Sequence, residues 1–340
     1  MSDSCPGSRR DGIEAEEQIV EAELVAGGLP DSAAAQPGMR RRRRRKKLPA
    51  ILFLLTCAST FWVGAARWYP DIYLYECATE LGVMPIRRVL LSHWQDGLIY
   101  MACLVGILLM HEMGHFLATV RYGVPASLPF FLPFPVSPVG TMGAVIAMDG
   151  TRANRRQMFD IGLAGPLAGL VVAVPILWIG VRNLDGGGLQ HGPFVLDLPL
   201  GLRFFLDYTR PQGFQPGTDV WFSQLNPYFM AGWVGLLVTG LNMLPVGQLD
   251  GGHVVYTLFG RRAHWISRGF MLVAMVYIGW DLSNRWPWTV MAFLLLLLGV
   301  NHPPTRDDSV PLGWFRTVLG VVSLSIPVLC FPLQVFKIVD

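Results

Sequence analysis

Apolar residues fall along this chain in long blocks separated by polar or proline-rich breaks, not at the spacing of helices half exposed to water. A block of about 20 apolar residues is long enough for a helix to cross a bilayer. Blocks over residues 48–68, 97–122, 159–181 and 227–245 predict four such helices, and shorter ones over 269–282, 286–300 and 312–333 bring the expected total to about six or seven. Residues 125–148 are as apolar but carry Pro125, Pro129, Pro133, Pro135 and Pro138, which forbid a regular helix. Irregular backbone at membrane depth survives only inside protein or beside a water-filled cavity. The stretch therefore predicts a re-entrant hairpin turning near Gly140 or Gly143, with a loop resting on the headgroups as the plainer reading. The expected fold class is an all-α polytopic membrane protein with that hairpin beside the helix over 97–122.

Composition agrees with this pattern. At 52% hydrophobic and 15% charged residues, with a mean hydropathy of +0.42, the chain is too apolar for a water-soluble domain. Cys5, Cys57, Cys77, Cys103 and Cys330 are scattered without C-x-x-C spacing and imply neither disulfides nor a cysteine metal site. The net charge of +3 says less than where the charges lie. Residues 1–39 are rich in Ala, Gly, Ser, Pro and acids, and an unbroken basic run follows from Arg40 to Lys47. The expected unit 1–47 is a disordered tail ending in a topogenic block. A nucleic-acid-binding tail is the rival reading of the run, but basic residues directly before an apolar block are what the positive-inside rule places on a cytoplasmic flank, so no nucleic acid is expected as a partner. Arg152, Arg155 and Arg156, and then Arg261, Arg262 and Arg268, mark the same side again. The expected setting is a multi-pass protein of a bacterial inner membrane, N-terminus cytoplasmic, with a first helix and connector over 48–96, a core over 97–253 and further membrane helices over 254–340.

One apolar block is interrupted by chemistry. His111, Glu112 and His115 lie past the midpoint of the helix over 97–122. Positions i and i+4 are about 40° apart around a helix and about 6 Å along it, so the two imidazoles share a face and can grip one zinc ion. Glu112 is then beside the metal without binding it, where a general base for water belongs. An ionisable group at mid-bilayer costs roughly 2.5–3.5 kcal/mol on insertion scales, so three within five residues need a compensating cation. The second marked stretch runs from Asn242 to His253, where Pro245 and the glycines break the helix over 227–245 and let Asp250 supply a third ligand. Two imidazoles and one carboxylate leave a tetrahedral position open for water. Asp160 reads as a cap or interfacial charge, His253 as solvent-facing or locally packed, and Gly162, Gly165 and Gly169 as a small-residue face for a neighbouring helix.

His111-Glu112-Met113-Gly114-His115 and Asn242 through Asp250-Gly251 together resemble the two motifs of the site-2 protease family of intramembrane zinc metalloproteases, H-E-x-x-H and N-x-x-P-x-x-x-L-D-G. Residues 128–133, Gly140-Thr141-Met142-Gly143-Ala144, Asn154 through Gly165-Pro166, and His302-Pro303-Pro304 are similar to its cyanobacterial and plant plastid branch. The resemblance covers about residues 90–310. It implies a core of three helices, one Zn2+ per chain held by His111, His115 and Asp250, Glu112 activating water, and Asn242 stabilising the oxyanion. It also implies that substrate adds as a strand along the Pro-rich stretch, with Gly140 and Gly143 in its path. The connector over 182–225 is too short for the PDZ domain that many relatives carry.

The implied function is hydrolysis of peptide bonds within transmembrane segments of membrane proteins, with those segments and the lipid bilayer as partners. Three alternatives stand beside it: an inactive relative that binds transmembrane helices, a metal transporter, and a membrane-tethered protease for soluble peptides. An inactive site has no need of Glu112, a transport path calls for acids and histidines in several helices, and the depth of His111 argues against soluble substrates.

Overall fold

The computed structural model describes residues 47–79, 83–184, 194–215, 217–300 and 302–338. The expected tail over 1–46, with its basic run, lies outside them, as do Gly186 to Gly188. The described chain is mostly helical. Helix α1 (Lys47–Ala65) and the short α2 (Pro70–Thr79) precede a long α3 (Met84–Tyr122). A hairpin of β1 (Phe130–Phe134) and β2 (Gly140–Val145) leads to α4 (Arg155–Arg182). After β3 (Phe194–Leu196), α5 (Leu200–Thr209) and β4 (Val220–Trp221) come α6 (Pro227–Asn242), α7 (Asp250–Phe259), α8 (Ala263–Trp280) and α9 (Leu282–Leu298). The chain closes with α10 (Trp314–Ser323), α11 (Ile326–Cys330) and β5 (Phe336–Ile338).

Among the described residues, α1, α3 and α4 are the three helices long and apolar enough to cross a membrane, against the six or seven expected. The block over 227–245 is cut short by Pro245, and the 16 residues of α6 rise only about 24 Å, less than a hydrocarbon core of about 30 Å. Helix α3 also begins earlier than the expected boundary at Gly97. Pro85 stands in its first turn, where a missing N–H costs nothing, and a kink at His93 (φ −126°, ψ 23°) lets the preceding turns join it. Gly123 ends it in the left-handed region at φ 65°, its N–H returning to Thr119 O and Val120 O. Helix α4 starts from a capping box in which Asn154 Oδ1 accepts from Gln157 N and Gln157 Oε1 accepts from Asn154 N.

The prolines of 125–148 do exclude a helix, and the segment pairs with itself instead. Phe130 opposes Val145 and Phe134 opposes Gly140, with the register shifting between Phe131 and Pro133. The turn lies over 135–139, so Gly140 opens the return strand and Gly143 sits inside it, rather than either forming the turn. Both have positive φ, 84° and 98°. The hairpin is tied to its neighbours: Ser59 Oγ donates to Gly140 O, Tyr100 Oη donates to Val139 O at 2.8 Å, and Phe53 meets Phe131 edge-on at 5.2 Å.

The fold is therefore not purely helical. Beyond the hairpin, β3 is flanked by β4 and β5 in an antiparallel three-stranded sheet, which gives the connector over 182–225 a structure its composition did not suggest. Asp197, directly after β3, is buried and accepts from Arg203 Nη2 at 3.0 Å and from Gln334 N at 2.9 Å, fastening the segment before β5 to the connector. Elsewhere, α4 packs between α3 and α6, and its N-terminal part also meets α7. That central position brings all the chemically marked stretches to one helix.

Candidate metal centre

His111 and His115 face α4, and α4 has made room for them. A Cβ added at Gly165 would stand 2.0 Å from His115 Nε2, and one at Gly169 would stand 3.2 Å from His111 Nδ1. One turn earlier, a Cβ at Gly162 would meet His253 Cβ at 2.9 Å. The small-residue face thus receives neighbouring helices, α3 and α7, as expected, and with them three imidazoles. His111 and His115 are both buried, at 2% and 8% exposure.

Asp250 arrives from the other side. Pro245 ends α6, Gly247 turns the chain at φ 51° with its N–H donating to Val300 O, and Asp250 opens α7. Gly251 and Gly252 do not break the helix as the sequence suggested; they lie within α7. They let its first turn press on the preceding loop, since a Cβ at Gly251 would fall 2.0 Å from Met243 O. The result is that Asp250 Oδ2 lies 3.2 Å from His111 Nε2 and 3.3 Å from His115 Nε2, and the two Nε2 atoms are 3.2 Å apart.

These spacings suit a metal. His115 Nδ1 is 2.8 Å from Ile161 O, and a carbonyl can only accept, so Nδ1 carries the proton and Nε2 presents a lone pair. A proton on His111 Nε2 would serve one of the remaining contacts; a cation serves all three. Tetrahedral ligands with bonds of 2.0–2.1 Å lie about 3.3–3.4 Å from each other, close to the observed edges. His111, His115 and Asp250 form the one such group of potential metal ligands among the described residues.

The remaining predicted residues divide. Glu112, 4% exposed, lines a cavity of about 150 Å3 together with His111, His115, Asp250 and Asn242. Asn242 Nδ2 is 3.3 Å from His111 Nε2. Gly140 packs instead against Ser59 and Thr60 of α1, and neither it nor Gly143 lines the cavity, whose hairpin wall is formed by Ala144, Val145, Ile146 and Met148.

The segment that follows α9 touches the loop before α7, α7 itself and the entry to α4. Besides the Val300 contact, Arg306 N donates to Ala153 O and Arg155 N donates to Asp307 O at the entry to α4. His302 reaches His253 on α7, and burial pushes the His302 imidazole down to about 4, which keeps it neutral. His253 is buried, lines the cavity and neither faces solvent nor merely packs locally, contrary to expectation. Asp160, expected as a cap or interfacial charge, accepts from Tyr122 Oη and holds Arg316 of α10 through two bonds of 2.7 and 2.9 Å.

Against known families, residues 99–279 match the model of peptidase family M50. The chain belongs to peptidase family M50. This M50 chain is 32% identical over 296 residues to a protein of Arabidopsis thaliana named probable zinc metalloprotease EGY1, chloroplastic, an alignment covering 82% of this chain and 51% of that protein. The rice EGY1 protein (Oryza sativa subsp. japonica) is 32% identical over 82% of this chain and 49% of its own length. The Arabidopsis EGY2 protein is 28% identical over 72% and 42% respectively. The M50 chain thus spans about half the length of the curated relatives it matches. Its matched region contains His111, Glu112, His115, Asn242 and Asp250, the residues that surround the cavity.

Proposed function

We propose that this chain is an intramembrane zinc metalloprotease that hydrolyses peptide bonds within transmembrane segments of membrane proteins. The observation that carries the reading is the convergence of His111 Nε2, His115 Nε2 and Asp250 Oδ2 at separations of 3.2–3.3 Å, with the two histidines on α3, a helix apolar enough to lie in a bilayer. Those three residues would hold one Zn2+. When bound, zinc supplies Lewis acidity, lowering the pKa of water towards 7 and polarising a carbonyl. Glu112 takes the proton from the attacking water and returns it to the departing amine. Asn242 directs its amide hydrogens at the charge developing on the carbonyl oxygen. His115 keeps its lone pair aimed by donating from Nδ1 to Ile161 O.

A helical substrate keeps its carbonyls bonded to itself, so the segment must unwind before it can be cut. The hairpin offers a place for an extended chain: β2 runs into residues 144–148 at the cavity wall, and positive φ at Gly140 and Gly143 shapes the strand leading there. The partners are therefore transmembrane segments carrying small or helix-breaking residues, and the bilayer itself. As to which membrane, the relatives' names place those proteins in chloroplasts and lend no support to a bacterial inner membrane or a cytoplasmic N-terminus.

The test is cleavage of a panel of tagged single-pass helices by the purified chain beside Glu112→Gln, with zinc measured on both. Cleavage by wild type alone, with equal zinc, supports the reading. Equal zinc without cleavage by either would favour a helix-binding protein.

A further inference from the structure

Helix α7 brings a third imidazole to the face of α4 that already holds two. His253 sits against Gly162 as His115 and His111 sit against Gly165 and Gly169, and it lines the same cavity as Glu112. Its tautomer is fixed from outside the cavity. His302 Nδ1 contacts the carbonyl of Pro303, which can only accept, so the His302 proton is on Nδ1 and its Nε2 is a lone pair. That lone pair meets His253 Nδ1, which must therefore donate. His253 Nε2 is left as a bare acceptor with no hydrogen-bond partner among the described residues.

His302 is held so that it cannot turn away. Its ring stacks on Tyr256 at 4.3 Å with 14° between planes. The Tyr256 hydroxyl donates to Asp308 Oδ2 at 2.8 Å, and Thr305 Oγ1 donates to the other oxygen of the same carboxylate. His264 Nε2 lies 3.2 Å from the His302 carbonyl.

An acceptor on a cavity wall that no protein donor serves is free to take one from a ligand, and an unwound segment within a bilayer has the complementary deficit, N–H groups without acceptors. We infer that His253 Nε2 accepts a hydrogen bond from a backbone N–H of the unwound substrate next to the scissile bond. His302 is the positioning residue that holds His253 in the accepting tautomer. The inference rests on the protease reading and adds to it a substrate-binding group for main chain, independent of side-chain sequence.

The experiment uses the full chain and transmembrane peptides in which single amides flanking the scissile bond are replaced by esters, deleting one N–H at a time. At one position the ester is expected to lower the wild-type kcat/KM about tenfold. The same ester should lower that of His253→Ala by no more than about twofold, with zinc content unchanged. His302→Leu should behave as His253→Ala does. His302→Gln, which keeps an acceptor for His253 Nδ1, should restore the tenfold ester penalty, as should His253→Gln, whose Oε1 replaces Nε2. A merely structural role would slow cleavage of every peptide alike and leave the penalty intact in His253→Ala, and that result overturns the inference. So does a wild type indifferent to every ester. Failure of the protease reading looks different: the all-amide peptide is then not cut, or is cut equally by Glu112→Gln, and the inference falls with it.

Discussion

A methyl group on Gly165 would stand 2.0 Å from His115 Nε2, with α4 backbone behind it. Gly165→Ala should therefore displace the ring and lower zinc affinity by about 10–100-fold, as losing a ligand's support does, read by titration against a competing chelator. Gly269→Ala, with nothing within 4 Å of the added carbon, should leave zinc affinity unchanged. Asn242→Ala should keep zinc but lose about 10²–10³ in kcat, the usual result of removing an oxyanion donor. At this scale the sequence was most legible where geometry is local. His111 and His115 share a helix turn, and Pro245 announces the break that frees Asp250. The glycines of α4 were visible as a small-residue face for neighbouring helices, which α3 and α7 are, but not that these helices would bring imidazoles to it. The role of His302 could not be read, because it depends on a partner 49 residues away that no local pattern points to.

Among the elements, the hairpin is fixed by few bonds. Tyr100→Phe removes the donor to Val139 O and should cost about 1 kcal/mol, seen as faster hydrogen exchange over residues 136–140 with zinc content unchanged. The segment after α9 should show itself through pH. His302 faces His253 and Tyr256 of α7, His264 of α8 and Asp308 of its own loop. Burial lowers it to about 4, against an ordinary value of about 6.5. Between these values the unfolded chain binds the proton and the folded chain does not, so this stability is complete above about pH 6.5 and is lost as pH falls towards 4. The thermal midpoint in detergent should fall through that window more steeply in wild type than in His302→Gln. Element type was readable in the apolar blocks and the proline-rich stretch, but not in the connector, whose strands pair across distant sequence, and element number was not readable. A run such as 227–245 has the hydrophobicity of a span, but its helix ends at Asn242 because the proline and the close glycine contacts that place Asp250 use up its last turn.

At the scale of the described fold, α3 and α7 supply the proposed ligands, α4 carries the glycine face between them, and the segment after α9 braces the entry to α4 and α7. A metal bound by ligands so far apart in sequence stabilises the folded chain. Chelation should lower the unfolding midpoint and zinc should restore it, by about 2.7 kcal/mol at a free concentration one hundred times Kd. The most direct measurement is to map, by mass spectrometry, where a single-pass substrate reconstituted in a bilayer with this chain is cut, wild type beside Glu112→Gln. New termini inside the apolar stretch, made by wild type and absent from a zinc-loaded Glu112→Gln, are the predicted result. Cuts confined to the polar flanks, or no cut by a zinc-loaded wild type, would contradict it.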